Sequence, residues 1–133
     1  MDILILRYPE PRQRLGASRK VVILQRAEDG EETELEALEV GARGPTLEDA
    51  VQSQIEKGHT QIVLDLIHEK HIDSSDLAQI LGAFKQAGES DGELVIANPN
   101  SKIREIFRIT KLDEVMKLFD SVGAAAQHFA SSA

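Results

Sequence analysis

Between residues 65 and 76 the chain gathers most of its chemically capable side chains: Asp65, His68, Glu69, His71, Asp73, Ser74, Ser75 and Asp76. A metal site would need its ligands on one face at a fixed spacing. His68-Glu69-Lys70-His71 is one residue short of the metalloprotease pattern His-Glu-x-x-His, falls in an expected loop and has no evident third ligand. His59 and His128 stand far from it, so no metal is expected. A Ser-His-acid hydrolase built from Ser74, His71 and Asp65 fares no better. There is no Gly-x-Ser-x-Gly elbow, and a serine opening a helix between two aspartates is a poor nucleophile beside a developing oxyanion. There is no Gly-rich phosphate loop either, and the expectation is a protein without catalytic activity or cofactor. Asp73-Ser74-Ser75-Asp76 is well suited to starting a helix. Asp73 or Ser74 can accept from the free N–H groups there, and Asp73 with Asp76 three residues on resembles a capping box with acids in both places.

The elements that must carry this segment follow from apolar spacing. Pro45 and Thr46 open a helix with Leu47, Ala50, Val51 and Ile55 on one face, ended at Gly58. Ile62-Val63-Leu64 is a short continuous apolar strand of the kind buried on both faces. Ser74 to Ala87 is the next helix, with Leu77, Ile80, Leu81 and Phe84 on its stripe. Leu94 to Ala97 is a second buried strand, Pro99 marks a loop, and Ser101 is expected to cap a helix carrying Ile103, Ile106 and Phe107. Val115 to Phe119 reads as the last strand. Ser121 caps a final helix towards Phe129, and residues 130–133 are expected to fray. Helices alternate with strands over connections suited to crossovers, which predicts a largely parallel sheet covered by helices.

The first forty residues differ in character. Ile3 to Arg7, Val21 to Gln25 and Leu35 to Val40 read as strands, with turn chemistry at Glu28-Asp29-Gly30. Glu10 to Lys20, rich in Pro, Arg and Gly, has no periodicity and reads as loop. This region could supply a sheet edge, a clamp on a partner or a dimer contact, and its strand edges would need covering, so a homodimer is worth considering.

Composition narrows the partners. The 133 residues suffice for one domain, and with four Phe, one Tyr and no Trp the core must be mainly aliphatic. Fifteen Lys and Arg against twenty-three Asp and Glu give a formal charge of −8, which argues against nucleic acid and anionic membranes as partners. No cysteine is present and no apolar run is long enough to span a bilayer, so a cytoplasmic protein is expected.

The order strand Ile62-Val63-Leu64-Asp65-Leu66, loop, Ile72-Asp73-Ser74-Ser75, then a helix with Leu77 and Leu81 resembles the STAS domain of bacterial anti-sigma factor antagonists. Gly92 to Ala97, Ser101 to Phe107 and Leu112-Asp113 leading into Val115 to Phe119 are similar to that domain in order and spacing. The resemblance covers roughly Thr46 to Phe129. It implies an α/β, STAS-like single domain at 41–129 with a mostly parallel central sheet, while residues 1–40 match that family poorly and read as an N-terminal β-rich extension of the same domain. It further implies a cytoplasmic anti-sigma factor antagonist that binds a serine kinase of the histidine-kinase-like ATPase type through Asp73, Ser74, Ser75, Asp76 and Leu77. Phosphorylation of Ser74, with Ser75 as fallback acceptor, would release that partner. The alternative is a STAS scaffold or subunit that binds constitutively. The sequence departs from the family at three places. Asp76 stands where Gly is usual, adding bulk and charge where a kinase would approach; Gly41-Ala42-Arg43-Gly44-Pro45 replaces a Gly-x-Leu-Asp stretch; and Lys111 replaces a common Gly.

Overall fold

The structure, a computed structural model, describes residues 3–10, 18–41 and 44–131. The strands are β1 (Ile3–Arg7), β2 (Arg19–Arg26), β3 (Glu32–Val40), β4 (Gln61–Asp65), β5 (Glu93–Ala97) and β6 (Leu118–Phe119). The helices are α1 (Leu47–Glu56), α2 (Ser74–Glu89), α3 (Ser101–Ile109) and α4 (Val122–Ser131), with a 3-10 turn at Leu112–Glu114. One sheet runs in the order β3-β2-β1-β4-β5-β6. β1, β4, β5 and β6 are parallel neighbours, while β2 and β3 join antiparallel as a hairpin. The N-terminal strands are therefore part of the sheet, with β1 lying between β2 and β4.

Alternation along the central strands builds two cores. Leu4, Leu6, Ile62, Leu64, Leu94 and Ile96 face α1, α2 and α3, meeting Leu47, Val51, Ile80, Ile103 and Phe107. Ile3, Ile5, Val63, Val95 and Ala97 face the other way, onto Val122, Ala125 and Phe129 of α4. Burial on both faces explains why β4 and β5 read as unbroken apolar runs. Gly92, which leads into β5, admits no side chain: a Cβ there would stand 2.6 Å from the Thr60 carbonyl oxygen.

Helix starts follow local chemistry. Thr46 caps α1 in a capping box with Asp49, and Ser121 Oγ accepts from the Ala124 N–H at 3.0 Å. Other expectations are corrected. Asn100, not Ser101, caps α3, because its Oδ1 accepts from the Ile103 N–H at 2.9 Å. β6 has two residues, and Val115 lies outside it, 57% exposed. Leu81 points outward, since the buried stripe of α2 is Asp76, Ile80, Ala83 and Ala87. Helix α4 includes Ala130 and Ser131. Arg19 and Lys20, expected in a loop, begin β2. Residues 11–17, 42–43 and 132–133, on which parts of the loop and tail expectations fall, lie outside the described residues.

Candidate functional site

The strand order changes direction between β1 and β4, and open α/β sheets place functional crevices at the carboxyl ends of strands at such a point. Those ends are Arg7 and Asp65, paired in register across the two strands. Asp65 is 1% exposed, and its charge is fully engaged. Oδ2 accepts from Arg7 Nε at 2.7 Å, while Oδ1 accepts from Asn98 Nδ2 at 2.9 Å and from the Ile67 N–H at 3.1 Å. The last bond turns the chain out of β4. The Arg7 fork also donates to both Glu32 oxygens of β3, at 2.9 and 3.2 Å. The hydrogen bond to Glu32 is the main cause holding the Arg7 guanidinium above its ordinary pKa, with Asp65 adding to it, and the Glu32 carboxyl is correspondingly lowered.

The loop from Leu66 to Asp73 is braced along its length. The Leu66 N–H donates to the Ala97 carbonyl and the Glu69 N–H to that of Leu66, each at 2.9 Å. Asn100 Nδ2 donates to the carbonyls of Glu69 and Lys70 at 3.3 and 3.0 Å, so the cap of α3 also holds the loop before α2. Glu69 turns inward, buried against Arg19, while His68 and His71 on either side are exposed. Asp65 is engaged with Arg7 and Asn98, and His71 is exposed. Among the described residues there is no group of three metal-ligating side chains.

Helix α2 opens with a reciprocal cap. Asp73 Oδ1 accepts from the Asp76 N–H at 2.9 Å, and Asp76 Oδ2 accepts from the Asp73 N–H at 3.0 Å. Both aspartates are thereby drawn towards the protein, and Asp76, 7% exposed, also accepts from Arg19 Nη1 at 3.3 Å. Its carboxylate faces inward onto that counter-ion. Of the five residues singled out in the sequence, Ser74 and Ser75 are exposed, Asp73 and Leu77 are half-buried and Asp76 is buried. Ser74 and Ser75 occupy the first two helical positions, where free N–H groups and the helix dipole favour a negative charge. Ala78 and Leu81 continue their exposed stripe, and Ile67 is 53% exposed in the loop. Leu81, expected on the buried stripe, and Ile67, for which the sequence holds no signal, are thus exposed. The seven-residue step from Ser74 to Leu81 was the available signal for the former.

Residues 41–125 match the STAS domain family, and the chain belongs to that family. It is 33% identical over 88 residues to BtrV of Bordetella bronchiseptica, named as a candidate anti-sigma factor antagonist, covering 66% of this chain and 76% of BtrV. A Thermotoga maritima protein named likewise is 30% identical over 73 residues, or 55% of this chain, and the alignment spans 65% of that relative's own length. The anti-sigma-B factor antagonist of Staphylococcus aureus is 29% identical over 72 residues, covering 54% of this chain and 67% of that protein. The crystal structure of a candidate anti-sigma factor antagonist from Thermotoga maritima superposes with a TM-score of 0.57 at 28% identity, over 61% of this chain and 70% of that one. Among the described residues no helix is long and apolar enough to cross a membrane.

Proposed function

We propose that this chain is a non-catalytic anti-sigma factor antagonist that binds an anti-sigma factor kinase through the outward face of α2 and lets go when Ser74 is phosphorylated. One observation carries the reading: Ser74 is exposed in the first turn of α2 while the two aspartates around it are turned into the cap. The surface an unmodified partner meets there is small and weakly polar, formed by Ser74, Ser75, Ala78 and Leu81, and Ile67 adds an exposed apolar side chain in the loop before the helix. Phosphate would add a charge of about −1.5 to −2 to that surface, beside Asp73, and a partner packed on it would have to desolvate that charge. The helix N-terminus itself tolerates an anion, so the fold persists while the interface fails. Ser75 is the second candidate acceptor. The relatives named as anti-sigma factor antagonists support the partner class.

The reading is tested by titrating an anti-sigma factor kinase with the wild type and with Ser74→Glu. A loss of about five- to 150-fold in affinity, with unchanged circular dichroism, is expected from an interface shift of about 1–3 kcal/mol. Equal affinities would favour the second reading, a STAS scaffold that holds its partner constitutively. That reading draws on β1 to β3, which precede the family match and give the sheet a long edge strand for further contacts.

A further inference from the structure

Arg19 begins β2, in the part of the chain that precedes the family match at residue 41. Its side chain nevertheless ends beneath the Ser74 turn. Nη1 donates to Asp76 Oδ1 at 3.3 Å, Nη2 pairs with Glu69 Oε1, and Cζ lies 3.9 Å from the centroid of the Tyr8 ring. The Arg19 side chain is 12% exposed, Glu69 is 3% exposed and Asp76 is 7% exposed. Glu69 lies midway along the loop from β4 to α2, and Asp76 lies in the first turn of α2, just past the two serines. A single cation therefore grips the loop on both sides of Ser74.

The planar guanidinium is suited to this, because its donors diverge in a fixed fork and its face can stack on an aromatic ring. A lysine could neutralise one acid at a time from a single point. Asp76 transmits the grip into the helix start, since its other oxygen caps the Asp73 N–H. With Arg19 absent, the buried Glu69 carboxylate would lose its cation and Asp76 one of its contacts, a cost that swinging the Glu69 side of the loop out into water would relieve.

We propose that Arg19 is a positioning residue that fixes the Ser74-bearing turn in its outward conformation, so that the N-terminal hairpin sets the geometry of the switch. The functional side of this rests on Ser74 being the phosphoacceptor; the positioning itself does not.

Site-resolved amide hydrogen exchange on the full chain tests it without a kinase. The Glu69, Asp76 and Leu77 amides are compared with those of Val63 and Leu64 in wild type, Arg19→Lys and Arg19→Met. The expected result for Arg19→Met is exchange at the three loop and cap amides faster by at least about tenfold than any change at β4, with partial rescue in Arg19→Lys. Should Arg19→Met fail to fold, the same comparison in Arg19→Lys decides. Loop amides that accelerate only in step with β4, or not at all, would reduce Arg19 to general support and overturn the proposal. A wild type that no anti-sigma kinase modifies would overturn the reading of Ser74 instead, and the exchange comparison would still decide the role of Arg19.

Discussion

The Arg19 guanidinium donates to Asp76 Oδ1 across 3.3 Å, joining β2 to the first turn of α2 over 57 positions of sequence. This contact explains how the chain accommodates a buried carboxylate at position 76. That carboxylate is folded inward as a cap and paired with a cation supplied by the N-terminal strands.

Removal of that cation should be costly. Arg19→Met is expected to lose about 3–5 kcal/mol in urea unfolding, because the buried Glu69 carboxylate loses its cation and Asp76 loses one of its contacts. Adding Glu69→Leu should recover part of the loss, since an apolar side chain replaces one stranded charge. A double variant no more stable than Arg19→Met would show that Glu69 and Arg19 are not coupled.

Asp65 ties three strand ends together, and Asp65→Ala should cost about 1–3 kcal/mol by leaving Asn98 and the Arg7 Nε without their shared acceptor, while Arg7 keeps Glu32. Asp65→Asn should cost less. The order of the two denaturation midpoints checks this, and equal midpoints for wild type and Asp65→Ala would refute it.

The Arg7–Glu32 fork gives a pH signature. The fork lowers the Glu32 carboxyl below its ordinary value of 4.5, so the pair contributes stability above that value and loses it as pH falls through the lowered one. Glu32→Gln should therefore be less stable than wild type at neutral pH by about 0.5–1 kcal/mol, and the gap should close in acid. A gap that widens on acidification would reverse the sign of the argument.

Much of this was legible in the sequence, and the failures have physical causes. β4, β5 and the starts of α1 and α2 were readable because apolar runs, a Thr or Asp cap and an acid three residues on are all local signals. The α3 cap was displaced by one residue because Asn100 and Ser101 are both able caps, and only the bond to Ile103 decides between them. β6 was overextended because Val115 is apolar yet exposed, a choice made by the 3-10 turn before it. The Arg19, Glu69 and Asp76 cluster left no pattern in the sequence, since its members come from a strand, a loop and a helix. The first strands were readable, but that they complete the same sheet required the β1–β4 pairing to be seen.

If the outward stripe of α2 is the partner surface, Leu81→Ser and Ile67→Ser should weaken kinase binding by about tenfold while changing stability by less than about 1 kcal/mol. Unchanged affinity in both variants would place the interface elsewhere.

The central claim is that Ser74 is the switch. It is tested most directly by intact mass and kinase binding for wild type and Ser74→Ala after incubation with an anti-sigma factor kinase and ATP. The account predicts one added phosphate on the wild type alone, with loss of binding only there. A phosphate on Ser74→Ala, or a phosphorylated wild type that still binds, would contradict it.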